Sequence, residues 1–218
     1  MLDGAAMDNL KTSGGVNRRT ALKRAAVGAA ALAWPARVFA QPLTIPEQHR
    51  RILDVARREV DRAGSVLWRR DIAGIADFGL PSSLPRFHFA NLEAGTVRSH
   101  LVAHGKGSDP EHDGFLKTFS NEPGSLATSR GAYISYEWYV GKYGVSIRMG
   151  GLDRDNSNAL PRAIVMHQAW YAAPDMLTKW GKLGRSDGCL AMAPDDFQLA
   201  LTQLSGGRVV FADKLGIY

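Results

Sequence analysis

The two most informative segments of the chain are IVMH at 164–167 and GRSDGC at 184–189. The first is a brief apolar run, typical of a buried strand, and it ends in a histidine. The second is rich in turn-forming residues and ends in the single cysteine of the chain. A thiolate is a strong nucleophile, and a neighbouring imidazole can accept the proton of the thiol. The two segments therefore favour a nucleophile, Cys189, served by a base at the end of a strand, His167.

A second interpretation of the same residues stays open at this point. A lone cysteine is commonly a small buried hydrophobic residue, and a histidine at the end of a strand is commonly a hydrogen-bonding surface residue. The glycine before Cys189 favours chemistry, because a strained corner can expose backbone N–H groups that stabilise an oxyanion. The separation of 22 positions from His167 to Cys189 leaves room for one excursion that returns to the same place.

The remaining pattern predicts a mainly β domain with a few helices, of the α+β class. Many short apolar runs are separated by Gly and Pro turns, and only two segments have helical periodicity. A polar stretch rich in Gly, Ser and Asp at 104–125 is too long for an ordinary connection and predicts a functional loop. The predicted helices cover 47–64 and 195–204, and the predicted strands cover 72–78, 86–90, 96–103, 132–139, 145–149, 163–167 and 208–212.

Composition excludes several classes of protein. The chain has 218 residues, of which 45% are hydrophobic, enough for one sizeable core. One cysteine excludes an intramolecular disulfide and a zinc site built on several thiolates. No apolar run is long enough to span a bilayer. The formal charge is +6, but residues 1–40 hold six basic and two acidic residues, which leaves +2 for the rest. We therefore expect no nucleic-acid partner.

The first forty residues have the order of an export signal. Arg18 and Arg19 precede an alanine-rich apolar stretch at 25–34, and Val38 and Ala40 stand at the minus-three and minus-one positions of a cleavage site. The arginine pair resembles a twin-arginine signal. We expect cleavage after Ala40, a periplasmic or other extracytoplasmic location, and no membrane span afterwards. The general secretory route remains the alternative.

The ordered set of motifs resembles the L,D-transpeptidases of the YkuD family, and in particular the branch known as the murein L,D-transpeptidase catalytic domain family. The resemblance covers 71–218, preceded by a helical segment at 41–70. The matching motifs are HGKGS (104–108), FSNEPGS (119–125), GAY (131–133), YVGKYG (139–144), GLD (151–153), NA (158–159), RAIVMH (162–167) and GRSDGC (184–189).

The resemblance implies a β-sandwich catalytic domain and a cysteine acyltransferase that acts on the stem tetrapeptides of peptidoglycan. Cys189 would attack the substrate carbonyl, and His167 would act as general base and then as general acid. The backbone N–H groups of Gly188, Cys189 and Asp187 would form the oxyanion hole. The thioester would give a crosslink or release of terminal D-alanine, with no metal or other cofactor. We expect a monomer.

Four further residues are candidates for orienting the histidine or contacting substrate. The carbonyl of Gln168 or of a neighbour would orient His167. Ser186 would stabilise the turn or contact substrate, Arg185 would bind a substrate carboxylate or be solvated, and Tyr171 would line the cleft or pack in the core. A metal site at His104 with two nearby histidines is not expected, because no acidic ligands lie in register.

Three residues depart from the pattern of the family: Gln168 after the histidine, Asp187 before Gly188, and Leu190 after the cysteine. A carboxylate at Asp187 would raise the pKa of the thiol and repel an oxyanion. The departures keep three alternatives open. One is a hydrolase that trims D-amino acids or cleaves a lipoprotein link, another is a catalytically degraded cell-wall-binding protein, and the third is an unrelated thiol peptidase.

Overall fold

The computed structural model describes residues 46–142 and 144–218, and in this part of the chain eight strands form one mixed sheet. The sheet order is β3-β2-β1-β8-β4-β5-β6-β7. The strands are β1 Ile72–Asp77, β2 Phe87–Asn91, β3 Thr96–His100, β4 Gly131–Gly141, β5 Gly144–Gly151, β6 Val165–Gln168, β7 Leu190–Met192 and β8 Arg208–Asp213. The helices are α1 Glu47–Ala63, α2 Asp175–Trp180 and α3 Pro194–Gln203. The proposed export signal and Tyr143 lie outside the described residues.

The predicted class, mainly β with a few helices, is confirmed. Strands β2 and β3 form the expected antiparallel hairpin, and Phe87 and Phe89 lie on one face of it in the same buried cluster. Two parallel pairings, β1 with β8 and β6 with β7, make the sheet mixed. The short helix α2 and the short strand β7 have no counterpart in the sequence prediction, because six and three residues are too few to show a period.

Each face of the sheet carries its own hydrophobic cluster. Ile75 and Ala76 are successive residues of β1, and they point into opposite clusters, as the period of a strand requires. Helix α1 covers one face through Ile52 and Ala56, and α3 covers the other through Phe197. Burial of one such aliphatic or aromatic side chain stabilises the fold by about 1.5–3 kcal/mol.

Helix α1 is amphipathic, which explains why it packs on the sheet with one stripe only. Its apolar positions at 52, 53, 56 and 60 are buried, and its arginines remain at the surface. Arg62, in the last turn, pairs with Asp153 of the segment after β5. No helix of the described residues is long and apolar enough to cross a membrane.

The C-terminal segment is held by one buried carboxylate at the end of β1. Oδ1 of Asp77 accepts the N–H groups of Gly79, Leu215 and Gly216 at 2.8–2.9 Å, and Oδ2 accepts that of Ile217 at 2.7 Å. A buried carboxylate needs such donors, because the loss of its hydration would otherwise be costly.

Candidate active site

The turn that carries Cys189 is built around a glycine and a serine. Gly188 has φ +116°, and a Cβ at this position would lie 2.9 Å from the carbonyl oxygen of Ala127. Ser186 Oγ accepts the N–H of Gly188 at 3.1 Å and donates to the carbonyl of Cys189 at 2.6 Å. The hydroxyl therefore closes the turn from inside, and glycine is required at 188 for both its backbone angle and its size.

A second segment is hydrogen bonded along the turn. Ser186 N–H donates to His104 O at 2.9 Å, and Lys106 N–H donates to Ser186 O at 2.8 Å. Between them, a Cβ on Gly105 would lie 2.7 Å from Gly188 Cα. The glycine of the HGKGS motif thus allows one backbone to approach the other closely, which fixes the position of the nucleophile turn.

The register of β6 and β7 brings the two predicted chemical residues to the same place. His167 pairs with Ala191 in this parallel ladder, and Cys189 lies two residues before Ala191. Cys189 directly precedes β7, so the pairing of β6 with β7 places it beside the strand that carries His167. The intervening segment, 168–188, leaves the sheet at the end of β6 and returns next to it, at the start of β7.

The hydrogen bond of His167 selects its tautomer. Nδ1 lies 2.9 Å from the carbonyl oxygen of Gln168, and a carbonyl can only accept. Nδ1 therefore carries the proton of the neutral ring, and Nε2 carries the lone pair. Burial lowers the pKa of His167 below its usual value, although the bond to Gln168 opposes this shift. The neutral imidazole is thus the resting form at neutral pH.

Cys189 is a buried thiol, with 5% of its surface exposed. Its Sγ–H donates to the carbonyl of Ala163 at 3.7 Å, and Ala163 has φ +53°, a conformation rare outside glycine. Burial raises the pKa of the thiol to about 11, with a smaller contribution of the same sign from Asp187; the Val165 backbone and Arg162 oppose it. At neutral pH the sulfur is therefore protonated and needs a base.

Arg162 ties the loop over the nucleophile turn to the strand that carries His167. Its Nη1 donates to Ser120 O at 2.7 Å and to Ser129 Oγ at 2.6 Å. Its Nη2 donates to Ser125 Oγ at 3.2 Å and to Ala127 O at 2.5 Å. One guanidinium therefore fixes the loop at 120–129, whose Ala127 carbonyl lies against Gly188.

A buried polar cluster anchors the other loop segment. Arg86 is fully buried and donates to Val102 O, Leu80 O and His104 Nδ1. Because an arginine can only donate, His104 Nδ1 accepts and Nε2 carries the proton toward Asp109 Oδ2, 3.3 Å away. Burial lowers the pKa of Arg86 to about 9 and that of His104 to about 3. His104 is thus a neutral structural residue.

Comparison with protein families identifies the domain. A model described as the L,D-transpeptidase catalytic domain matches residues 49–212. The chain belongs to this family. No curated protein sequence gave a match.

Three of the solved structures to which the chain is similar are the following. An L,D-transpeptidase of Mycobacterium smegmatis is 15% identical, with 66% of this chain and 58% of that chain covered, at a TM-score of 0.39. The helical cell shape determining protein Pgp2 of Campylobacter jejuni, as a point mutant, is 13% identical, with 78% and 57% covered, at 0.41. An L,D-transpeptidase of Stackebrandtia nassauensis is 13% identical, with 74% and 66% covered, at 0.38. The chain thus spans under two thirds of the length of each.

The other predicted residues of this L,D-transpeptidase domain surround the turn in different ways. Arg185 Nη1 donates to the carbonyls of Asp109 and Pro110, so its guanidinium holds the loop. The backbone of Tyr171 accepts the N–H of Gly184 at 2.7 Å. Asp187 is exposed and lies 3.0 Å from Lys106 Nζ, so its carboxylate is paired with a cation beside the thiol.

A cleft opens beside His167. Its volume is about 530 Å³, and its lining comprises Lys142, His167, Gln168, Ala169, Trp170, Tyr171 and Pro194. An adjoining apolar groove of about 420 Å³ shares Trp170 and Tyr171 and extends to Met176 and Trp180. Tyr171 lines the cleft and also packs against a buried hydrophobic cluster, so it has features of both sequence interpretations. The segment at 168–183 forms the aromatic wall of the cleft.

Sequence reasoning missed four residues that support the L,D-transpeptidase site: Arg86, Lys106, Asp109 and Arg162. Among the four, the sequence hinted only at Arg86, because it stands directly next to a strand of alternating apolar residues. Charged side chains are rarely buried at such a position. Arg162 and Lys106 stand inside matched motifs but were given no role. The partners of Lys106 and Arg162 lie far away in sequence, so their pairing could not be obtained without the fold.

Proposed function

We propose that this domain catalyses acyl transfer on peptidoglycan stem peptides, with Cys189 as nucleophile and His167 as general base. The observation that carries the proposal is the pairing of β6 with β7, which places Cys189 beside the strand of His167, with the His167 tautomer selected by Gln168 O. In a family of L,D-transpeptidase catalytic domains, this is the arrangement that a thiol acyltransferase requires.

The first half of the reaction forms a thioester. Nε2 of His167 accepts the Sγ proton as sulfur attacks the carbonyl carbon of the L-centre before the terminal D-alanine. The C–N bond then breaks, and the imidazolium returns the proton to the amine of the leaving D-alanine. Because burial disfavours charge on both residues, we expect proton transfer to accompany attack rather than to precede it.

Backbone N–H groups of the nucleophile turn are the proposed oxyanion donors. The N–H of Gly188 already donates to Ser186 Oγ inside the turn, which favours the N–H groups of Asp187 and Cys189 as the donors to substrate. Rigid donors of this kind are effective because they need no reorganisation when charge develops. The ion pair with Lys106 reduces the repulsion that the Asp187 carboxylate would exert on the oxyanion.

The acceptor decides the outcome of the second half. An amine of a second stem would attack the thioester, form a crosslink and restore the thiol. Water would release the trimmed stem, which is the carboxypeptidase outcome. The cleft beside His167, with a volume of about 530 Å³, is the proposed place for the acceptor.

The test is incubation of the mature protein with a disaccharide tetrapeptide donor, followed by intact mass and by analysis of the products. We expect an adduct on the wild type with the mass of the donor less D-alanine, and dimeric products. Cys189→Ala should give neither, a loss of at least a thousandfold, since the nucleophile is absent.

Ser205→Ala is a matched control, because Ser205 follows α3 and its hydroxyl donates to the carbonyl of Leu201 in that helix. It should acylate like the wild type. Trimmed monomers without dimers would establish the hydrolase. A folded protein with a free thiol and no adduct would overturn the enzyme and leave the cell-wall-binding alternative.

We propose that the domain acts outside the cytoplasm after removal of residues 1–40, with a helical segment at 41–70 and the catalytic domain at 71–218. The support is the order of basic, apolar and small residues in the leader and the cell-wall chemistry of the family. Replacing Arg18 and Arg19 by Lys should retain the protein in the cytoplasm. Unchanged export would contradict the twin-arginine route.

A further inference from the structure

One cation lies directly behind the nucleophile turn without a carboxylate partner. The guanidinium of Arg162 is half-buried, and its four hydrogen bonds go to two carbonyl and two hydroxyl oxygens of the loop at 120–129. None of these acceptors carries a charge. In the part of the chain that the structure describes, this guanidinium forms no salt bridge, whereas those of Arg62, Arg130 and Arg208 each pair with an aspartate.

This guanidinium is close to the nucleophile both in space and along the chain. Its Nη2 atom lies 3.3 Å from the position that a Cβ on Gly188 would occupy, and Gly188 directly precedes Cys189. The residue after Arg162 is Ala163, whose carbonyl accepts the Sγ–H of Cys189 at 3.7 Å. The cation therefore lies beside the turn that carries the thiol, and the next residue of its own segment contacts the sulfur.

Fixing the loop does not by itself require a charge at this position. Burial lowers the pKa of Arg162 below the usual value of an arginine, so the fold disfavours the charge that it holds there. A neutral donor such as a glutamine amide could bond the same oxygens with a smaller desolvation penalty. A cation that is held among neutral acceptors therefore points to an anion that forms during the reaction.

Three acidic groups favour the charge on Arg162, and they are Tyr133, Cys189 and Glu122. The hydroxyl of Tyr133 is buried and donates to the Ser129 carbonyl at 2.6 Å, and burial raises its pKa. The side chain of Glu122 is exposed, so water and salt screen its charge. The thiol of Cys189 is the one group of the three that must lose its proton in the chemistry. Arg162 lowers the pKa of this thiol, against the larger effect of burial.

We propose that Arg162 is a positioning residue whose positive charge stabilises the Cys189 thiolate while the proton of the thiol passes to Nε2 of His167. The inference rests on the proposed function, because it concerns the ionisation of that nucleophile. The Sγ–H bond breaks, its electron pair stays on sulfur, and an N–H bond forms on the imidazole. Arg162 keeps its own protons throughout. Two nearby cations, the imidazolium and the guanidinium, then replace the solvation that burial has removed from the thiolate.

The test is the rate at which iodoacetamide alkylates Cys189, followed by intact mass from about pH 7 to about pH 10. The chain has one cysteine, so the mass change reports on this thiol alone. The thiolate is the reactive form, so the rate follows the thiolate fraction. Arg162→Gln keeps side-chain N–H donors and removes the charge. We expect it to react about tenfold more slowly than the wild type at each pH, the change that corresponds to one pKa unit.

Two further variants keep the charge and weaken the loop. Arg162→Lys retains a cation but lacks the planar fork that reaches four oxygens. Ser125→Ala combined with Ser129→Ala removes both hydroxyl acceptors and leaves the guanidinium in place. We expect both variants to be less stable in urea than the wild type. Their alkylation rates should stay within about threefold of the wild-type rate, less than one pKa unit.

Arg130→Gln is the matched control for the loss of one positive charge. Arg130 directly follows the same loop, and its exposed guanidinium pairs with Asp213. Its alkylation rate should equal that of the wild type, because a solvated charge in an ion pair has little effect at a distance. With a disaccharide tetrapeptide donor, Arg162→Gln should lower kcat about tenfold and leave KM unchanged, because the charge acts on the nucleophile and not on the ligand.

The outcomes separate this inference from the proposed function, because alkylation needs no stem peptide. Equal rates in Arg162→Gln and the wild type would overturn the inference. A tenfold loss in the double serine variant would also overturn it, since that variant keeps the charge. If Arg162→Gln does not fold, Arg162→Lys decides: a rate near that of the wild type supports the inference, and a tenfold loss overturns it. Slower alkylation in Arg162→Gln without any acyl-enzyme in the wild type would overturn the function and leave the role of Arg162 standing.

Discussion

Two segments beside the nucleophile turn are built on opposite principles. The first, residues 104–130, here called the loop wall, is held by buried charged groups, with Arg86 fully buried beneath it and Asp109 fully buried within it. The aromatic wall, residues 168–183, has its largest side chains in solvent, with Trp170 73% and Trp180 63% exposed. The loop wall fixes the nucleophile turn through hydrogen bonds. The aromatic wall offers apolar surface to a ligand. The loop wall therefore sets the position of the nucleophile, and the aromatic wall provides the surface for ligand binding.

The largest effect should follow removal of the anchor under the loop wall. Arg86→Met leaves two buried carbonyls and the Nδ1 of His104 without their donor, and it leaves Asp109 without its nearby cation. Loss of one member of a buried charged network costs about 3–5 kcal/mol. We expect urea denaturation to show a decrease of that size.

Arg98→Met, on the exposed side of β3, is the matched control and should change the free energy of unfolding by less than about 0.5 kcal/mol. Equal stability of the two variants would show that the buried network does not anchor the loop wall.

A smaller effect per pH unit should come from acid. Burial lowers the pKa of His88 to about 4 and that of His104 to about 3, while an unfolded chain takes up each proton near pH 6.5. The unfolded state therefore binds more protons below pH 6.5, and stability is lost as the pH falls from 6.5 toward 4.

Each such proton changes the free energy of unfolding by about 1.4 kcal/mol per pH unit. Denaturation midpoints at pH 7.5, 6.5, 5.5 and 4.5 would measure the slope, with most carboxylates still ionised over that range. We expect little change between 7.5 and 6.5 and a steady fall below. A flat profile down to pH 4.5 would mean that neither histidine is held neutral by burial.

The smallest effect on stability should come from the aromatic wall. Trp170→Ala removes a side chain that is mostly in solvent, so the free energy of unfolding should change by less than about 0.5 kcal/mol. Because Trp170 lines both the cleft and the adjoining groove, we expect a higher KM for the donor with an unchanged rate of thiol alkylation. A large loss of stability would mean that the two walls are not separated as described.

The sequence contained enough local signal for the fold class, the hairpin and the candidate pair His167 and Cys189. Apolar periodicity and turn residues act over short stretches, and the family motifs preserve their order. The network beneath the loop wall was beyond such reasoning, because Arg86 meets His104 across a sheet edge and Arg162 meets residues 33–42 positions away. Burial of a charge is decided by the assembled fold, and no local pattern reports it.

For the Asp187 carboxylate, the sequence predicts the effect on the thiol but not the ion pair. Its chemical effect on the thiol follows from its position beside Gly188, and the sequence alone predicts that effect correctly in sign. Its pairing with Lys106 needs the contact between the HGKGS segment and the nucleophile turn, which only the tertiary structure supplies.

The buried, protonated state of Cys189 also bears on the resistance of the thiol to oxidation. Peroxides and disulfides react with the thiolate, and the first step toward sulfenic acid requires an accessible one. A sulfur that is 5% exposed, with a pKa of about 11, offers very little of either. The Cys189 thiol is thus unreactive until a ligand brings its carbonyl to the sulfur. The chain has no second cysteine that could reduce an oxidised Cys189. Burial therefore protects the thiol from oxidation, and it also slows the reaction of the thiol with substrate.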